Sequence, residues 1–231
     1  MEFICIILAS IVIIATLLIV FKLNPKKSKE IAENKELNKL SEKYPSNLNI
    51  CKDILKMLKN EKVKIEEDEN AKDCLYMVAF DKVIIAGTQT NFTRIQTIAH
   101  ECIHSIQDKR IQMFNFVFTN IILLYFIIVL ILGILRVIPD EYQMLILSIF
   151  ILMGFLSFVI RSYLENDAMI KAKYLAKEYM EKQNVCSEEE INKLVDGFEQ
   201  INDMGIKGTS FSLMLNILVK VIILAIVFIV V

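Results

Sequence analysis

His100-Glu101-Cys102-Ile103-His104 places two imidazoles at i and i+4 with a carboxylate directly after the first. On a helix those histidines share one face, one turn apart, and can grip a single metal ion. Glu101 is rotated about 100° from His100 and leans over the open side of that ion, where a general base is needed. This is the HExxH arrangement of zinc hydrolases. The chain has only 2 histidines in 231 residues, so chance alone produces such a block with odds on the order of one in a thousand.

Such a pair needs a third donor and a helix to hold it. Asn91 is a candidate N-cap for a helix running to about Arg110, with Ile95, Ile98, Ala99, Cys102 and Ile106 toward the core. Cys102 points about 200° away from His100 and reads as a small core residue. Before the helix, Val63 and Ile65 alternate with charged residues, and Leu75 to Phe80 and Val83 to Ala86 are compact apolar runs, so strands precede the motif. By resemblance to zincin-type zinc peptidases, which commonly place an edge strand there, the strand just before the motif helix is expected at the sheet edge, where an extended peptide can pair with it. Asn91-Phe92-Thr93 matches a glycosylation sequon, which has no meaning at a cytoplasmic helix start.

Hydrophobic residues make up 55% of the chain and mean hydropathy is +0.50, above the apolar share of a soluble domain. Four apolar runs account for this: Phe3 to Phe21, Phe114 to Leu135, Met144 to Ile160 and Phe211 to Val231. Each is long enough to cross a bilayer. Lys22, Lys26, Lys27 and Lys29 follow the first run and nothing basic precedes it, so it reads as an uncleaved anchor with its N-terminus outside. Lys109 and Arg110 precede the second run and Arg161 follows the third, so that pair forms a hairpin starting and ending in the cytoplasm.

The hairpin delivers Glu165 to the side from which the histidine helix departs, as the third metal donor. Asp167 is the nearest rival and Asp196 a distant one. The expected segments are an anchor at 1–22, a cytoplasmic part with the motif helix at 23–112, the hairpin at 113–161, cytoplasmic helices with the third ligand at 162–208, and a last span at 209–231. Lys29 to Tyr44 reads as a juxtamembrane helix or tether. Ser46, Asn47 or Asn49 caps the next helix, Ser187 to Glu190 forms a capping box, and Gly205 can stop the helix that box begins. Asn216 and Lys220 share one face of the last run, and Lys220 is either an interior partner or a snorkelling side chain.

The fold class is therefore an α-helical integral membrane protein of about four spans with a small α+β domain. The formal charge of -1 and pI near 6.2 give no electrostatic case for nucleic acid. Five scattered cysteines without a CxxC pair argue against a disulfide framework and a cysteine zinc site, and suit a reducing compartment.

The blocks Ala99-His100-Glu101, His104-Ser105-Ile106-Gln107-Asp108 and Glu165-Asn166-Asp167-Ala168, with a membrane hairpin between them, resemble the membrane-bound bacterial neutral zinc metallopeptidases. More distantly they resemble the heat-shock membrane protease and CAAX prenyl protease group. The resemblance implies a zincin-type fold, zinc held by His100, His104 and Glu165, Glu101 as catalytic base, and a peptide or membrane-protein substrate cleaved at the cytoplasmic face of a plasma membrane. The chain departs from that pattern at Ile103, where glycine is usual, and at Met169, where the prenyl-protease group tends to carry aspartate. With no third histidine, Arg161, Tyr163 and Tyr174 are candidates to steady an oxyanion, and Asp167 to support the ligands. The alternative is a non-catalytic membrane protein whose zinc is structural, or a scaffold or regulator acting through Lys220.

Overall fold

The computed structural model describes residues 1–71, 73–87 and 90–230; Val231, the last residue of the fourth apolar run, lies outside them. Among the described residues the elements are α1 (Glu2–Phe21), α2 (Pro25–Ala32), α3 (Lys35–Glu42), α4 (Asn47–Met57), β1 (Lys64–Asp68), β2 (Leu75–Met77), β3 (Lys82–Ala86), α5 (Arg94–His104), α6 (Lys109–Ile134), α7 (Asp140–Gln183) and α8 (Glu188–Val230). The chain is mostly helical with one small sheet. It divides into two compact units, a helical one of Met1–Leu23, Phe114–Tyr163 and Lys207–Val231, and an α+β one of Asn24–Met113 and Leu164–Ile206.

In the helical unit, α1, α6, α7 and α8 are each long and apolar enough to cross a membrane. Ile122, Leu147, Phe150, Val221 and Leu224 form its core, and Phe150 stacks on Tyr125 at 6.2 Å between ring centroids. Gly154 permits the close approach of α7 and α8, since a Cβ there would sit 2.7 Å from Ile217. Much of the remaining surface is apolar, including Leu8, Phe116, Leu124, Leu152 and Phe155.

The α+β unit carries the motif. Its strands run in the order β1-β3-β2, with β1 parallel and β2 antiparallel to β3. Val83 and Ile85 of β3 alternate inward and meet Ile50, Ile54, Ile95, Ile98 and Cys102 from α4 and α5 in one core. The strand preceding the motif helix is thus the centre of the sheet, not its edge. The edge beside α5 is β2, because the chain returns from β2 through β3 between its two partners.

Other departures from the sequence reading have local causes. The motif helix stops at His104 rather than near Arg110. Asp108 accepts from the Arg110 backbone N–H at 2.8 Å and begins α6 as a new helix. In the turn between, the Ser105 hydroxyl donates to the Cys102 carbonyl at 2.6 Å. Ile106 is therefore 46% exposed instead of in the core, while Ile103 is buried at 4%. Asn91 does not cap the helix with its side chain, which accepts instead from the Thr93 hydroxyl at 2.8 Å. Phe92, inside the sequon, is fully buried and stacks on Phe198 with centroids 5.8 Å apart.

The expected tether is two helices, α3 being capped by Asn34 through the backbone N–H groups of Glu36 and Leu37. Gly205 does not stop α8, which runs unbroken from Glu188. No glycine among the described residues has positive φ, and a Cβ at Gly205 would lie 3.2 Å from the Met169 side chain, so that glycine relieves crowding. Of the three cap candidates Ser46, Asn47 and Asn49, Ser46 caps α4, accepting from the Asn49 N–H at 3.4 Å, and in the expected capping box Ser187 and Glu190 bond reciprocally at 2.9 and 3.3 Å.

Candidate metal centre

Burial on α5 fixes the orientation of its polar side. Ile95, Ile98, Ala99 and Cys102 are fully buried, so the opposite face turns His100 and His104 outward. Facing this helix in the same core is a strip of small residues on α7, Ala168, Ala172 and Ala176, all fully buried. Small side chains let helices approach closely, and Glu165 lies one turn before Ala168 on that strip.

The result is a compact donor set. His100 Nε2 and His104 Nε2 are 3.0 Å apart, and Glu165 Oε2 lies 3.4 Å from the first and 3.7 Å from the second. Three donor atoms held about 2.0–2.1 Å from a tetrahedral ion stand about 3.3–3.4 Å from one another. The observed distances bracket that value. Among the described residues these three are the only His, Cys, Asp and Glu group that could hold a metal. Asp167 and Asp196 are not members, and Asp196 is exposed.

Hydrogen bonds around His104 determine which nitrogen is free. Gln107 Nε2 donates to the Leu164 carbonyl at 2.8 Å and to Asp167 Oδ2 at 3.0 Å. Both amide hydrogens are thereby used, and Gln107 Oε1 turns to His104 Nδ1 at 2.8 Å. An oxygen there needs a proton on Nδ1, which leaves the Nε2 lone pair for a metal. Gln112 Nε2 donates to the His104 carbonyl, and Lys171 holds the other Asp167 oxygen at 2.6 Å. Asp167 thus lies behind the site, supporting Gln107.

Glu101 is 8% exposed. Its Oε2 accepts from the Tyr76 backbone N–H of β2 at 2.6 Å, and its Oε1 lies 4.0 Å from His100 Nε2. Burial pushes its carboxyl above the ordinary range. At Glu165 burial acts in the same direction, but contact with His100 and His104 outweighs it and holds the carboxyl well below its ordinary range. At His104 burial lowers the pKa while Glu165 more than restores it, for a net rise. With neutral imidazoles the two carboxylates give the site a formal charge of about -2, which suits a divalent cation.

The oxyanion candidates fare differently. Tyr174 is largely exposed beneath Lys173 and lies about 13–14 Å along α7 from Glu165, too far to serve. Arg161 lines a cavity of the helical unit, and Tyr163, also in that unit, is mostly exposed.

Sequence reasoning assigned no role to Gln107, Gln112 or the Tyr76 backbone. Gln107 had a legible signal, an amide three residues after a candidate ligand, within reach on a helical turn. Arg94, the first residue of α5, is 7% exposed. It donates to the carbonyls of Ser41, Tyr44 and Pro45, to Ser41 Oγ and to Asn47 Oδ1, at 2.7–3.0 Å.

Comparison of the chain with protein-family models, curated proteins and solved structures finds no match.

Proposed function

We propose that this chain is a membrane-bound zinc metallopeptidase hydrolysing peptide bonds near the cytoplasmic face of a bacterial-type plasma membrane. One observation carries the reading: donor atoms of His100, His104 and Glu165, from helices some sixty residues apart in sequence, lie within 4.8 Å of one another, with a buried carboxylate beside them. Zinc bound there would polarise a substrate carbonyl and bring the pKa of water toward about 7.

The chain's own residues supply the rest. Gln107 keeps the His104 ring oriented with its proton on Nδ1. The Tyr76 N–H fixes Glu101 through Oε2, leaving Oε1 to take a proton from the attacking water and return it to the leaving amine. Burial raises the proton affinity of that carboxylate, which favours its work as a base near neutrality. Edge strand β2, rather than β3, is the element along which an extended peptide would pair, its Tyr76 N–H being already engaged by Glu101. The lysines after the first apolar run support a cytoplasmic site with the N-terminus outside.

A second reading, a structural ion in a non-catalytic protein, is favoured by the deep burial of Glu101 and the backbone bond that occupies one of its oxygens. Metal analysis and cleavage assays on the wild type, His100→Ala, Glu165→Ala and Glu101→Gln separate the two. The peptidase reading expects zinc lost in the first two variants, and zinc kept with cleavage of a membrane-proximal peptide abolished in the third. Full zinc occupancy in His100→Ala or Glu165→Ala removes the ligand set. Unchanged cleavage in Glu101→Gln removes the base.

A further inference from the structure

The helical unit contains a cleft of about 290 Å3 between α6, α7 and α8, whose polar lining is Thr119, Ser157, Arg161, Ser212, Asn216 and Lys220. Two of these six side chains are cations and none is an acid. Side-chain carboxylates elsewhere in the unit are confined to Glu2, at the start of α1, and Asp140 and Glu141, at the start of α7. Among the described residues the partner of the Lys220 ammonium is the face of the Phe126 ring, 5.7 Å from its centroid. A ring face attracts a cation but does not neutralise it.

Depth along the helix narrows what this cleft can receive. Lys220 lies nine residues into the run that begins at Phe211, about 13–14 Å along the axis, and so near the middle of a hydrocarbon layer about 30 Å thick. Arg161 stands at the end of its run. A lipid bound by its head group would place the phosphate near Arg161 and lay acyl chain against Asn216 and Lys220, where polar groups are least suited to it. A side chain from a neighbouring spanning helix can present a carboxylate at the depth of Lys220. Ser212 and Asn216 are exposed on the flank of the unit, so such a helix can approach from the side. A second copy of this chain does not fit, because its spans carry no mid-span acid.

We propose that this cleft docks a membrane-spanning helix of another protein through a mid-span Asp or Glu paired with Lys220, the hydroxyls and Asn216 bonding its polar neighbours. An uncompensated intramembrane charge is costly, and a carboxylate is the complement that Lys220 lacks in its own unit. This inference rests on the membrane reading and is independent of the peptidase reading.

The test uses the full chain in phosphatidylcholine vesicles, after alkaline carbonate extraction has shown that it is integral; release by carbonate would fail the membrane reading itself. The probe is a labelled leucine-rich peptide of about 21 residues, long enough to span, with a central Asp, Asn or Leu, and its association is read by energy transfer. The Asp peptide is expected to associate at least about five-fold more tightly than the Leu peptide, a modest value for polar contacts in lipid. Lys220→Met should abolish that preference and Lys220→Arg retain it. Replacing a buried charge with Met removes a folding cost, so the variant remains informative. Equal binding of Asp and Leu peptides, an Asn peptide binding as tightly as Asp, or a preference surviving Lys220→Met would overturn the proposal. So would displacement of the Asp peptide by about 20 mol% phosphatidylglycerol, which would assign the cleft to an anionic lipid head group.

Discussion

Gln107 gives the sharpest test of the proposed metal centre, because it would act on a bound ion only through His104. Its amide is committed on both sides: Nε2 to the Leu164 carbonyl and Asp167, Oε1 to His104 Nδ1. Gln107→Leu keeps the volume and removes the acceptor. His104 is then free to carry its proton on either nitrogen and to turn about its ring bond, and a fraction of the population presents N–H, not a lone pair, to the ion. Loss of such a supporting bond typically lowers metal affinity 10–100-fold, which corresponds to about 1.4–2.7 kcal/mol. Gln107→Glu retains an oxygen at Nδ1 but gives up both N–H donors and sets a carboxylate against Asp167 and the Leu164 carbonyl, so it should recover only a minor part of that loss. Both variants keep all three donors, so stoichiometry at saturating zinc should stay at one while the dissociation constant moves, as read by competition against a chromogenic chelator in detergent. His104→Ala should instead lose stoichiometric binding. Zinc affinity in Gln107→Leu within two-fold of wild type would falsify the claim that this hydrogen bond sets the His104 tautomer.

Three further outcomes follow from the same unit. Burial raises the Glu101 pKa, so in metal-free protein its charge destabilises the fold above the raised pKa, and this penalty vanishes below the ordinary glutamate value near about 4.3. Metal-free Glu101→Gln should melt above wild type at neutral pH, the gap closing as pH falls toward that value; a pH-independent gap refutes the assignment to charge burial. Arg94→Ala strands the buried carbonyls of Ser41, Tyr44 and Pro45. At about 1–3 kcal/mol per orphaned group, partly relieved by water, the loss should be about 3–5 kcal/mol in denaturant unfolding of the full chain, and a loss under about 1 kcal/mol would show that water replaces the guanidinium freely. Ile103→Ala should cost about 2–4 kcal/mol, because Ile103 is buried in the core; a near-neutral result would mean that the site collapses around the gap.

The elements of the fold were legible where a single period dominates a segment. Four apolar runs, the alternation at Val63 and Ile65, the compact run Val83 to Ala86 and the Ser187 capping box read directly from residue type, and Ser46 was one of three cap candidates. Segment ends were less legible where side chains bond to distant backbone. The stop at His104 depends on Asn60, whose amide donates to Ser105 O and Oγ at 3.1 and 2.9 Å, and on Asp108 starting a new helix. Gly205 misled because glycine serves both as a stop and as a gap for a neighbouring side chain, and only the packed position of Met169 distinguishes these uses.

The donor set shows the same division between local and distant information. His100 and His104 share a face by helical geometry alone, and Glu165 meets them only after α7 packs through Ala168 and Ala172. Residues that tune the set are harder to read, since their function depends on which atom faces which. Gln107 assigns a proton to His104 only because Leu164 and Asp167 have taken both of its amide hydrogens, and those acceptors come from a helix about sixty residues away. The Tyr76 N–H reaches Glu101 because antiparallel pairing alternates backbone bonds between partner and free side. At Tyr76 the donor faces away from β3 and toward α5. Because the donor is a main-chain N–H, the pairing of β2 with β3 rather than the type of residue 76 supplies this bond, so strand geometry as well as helix phase is built into the site.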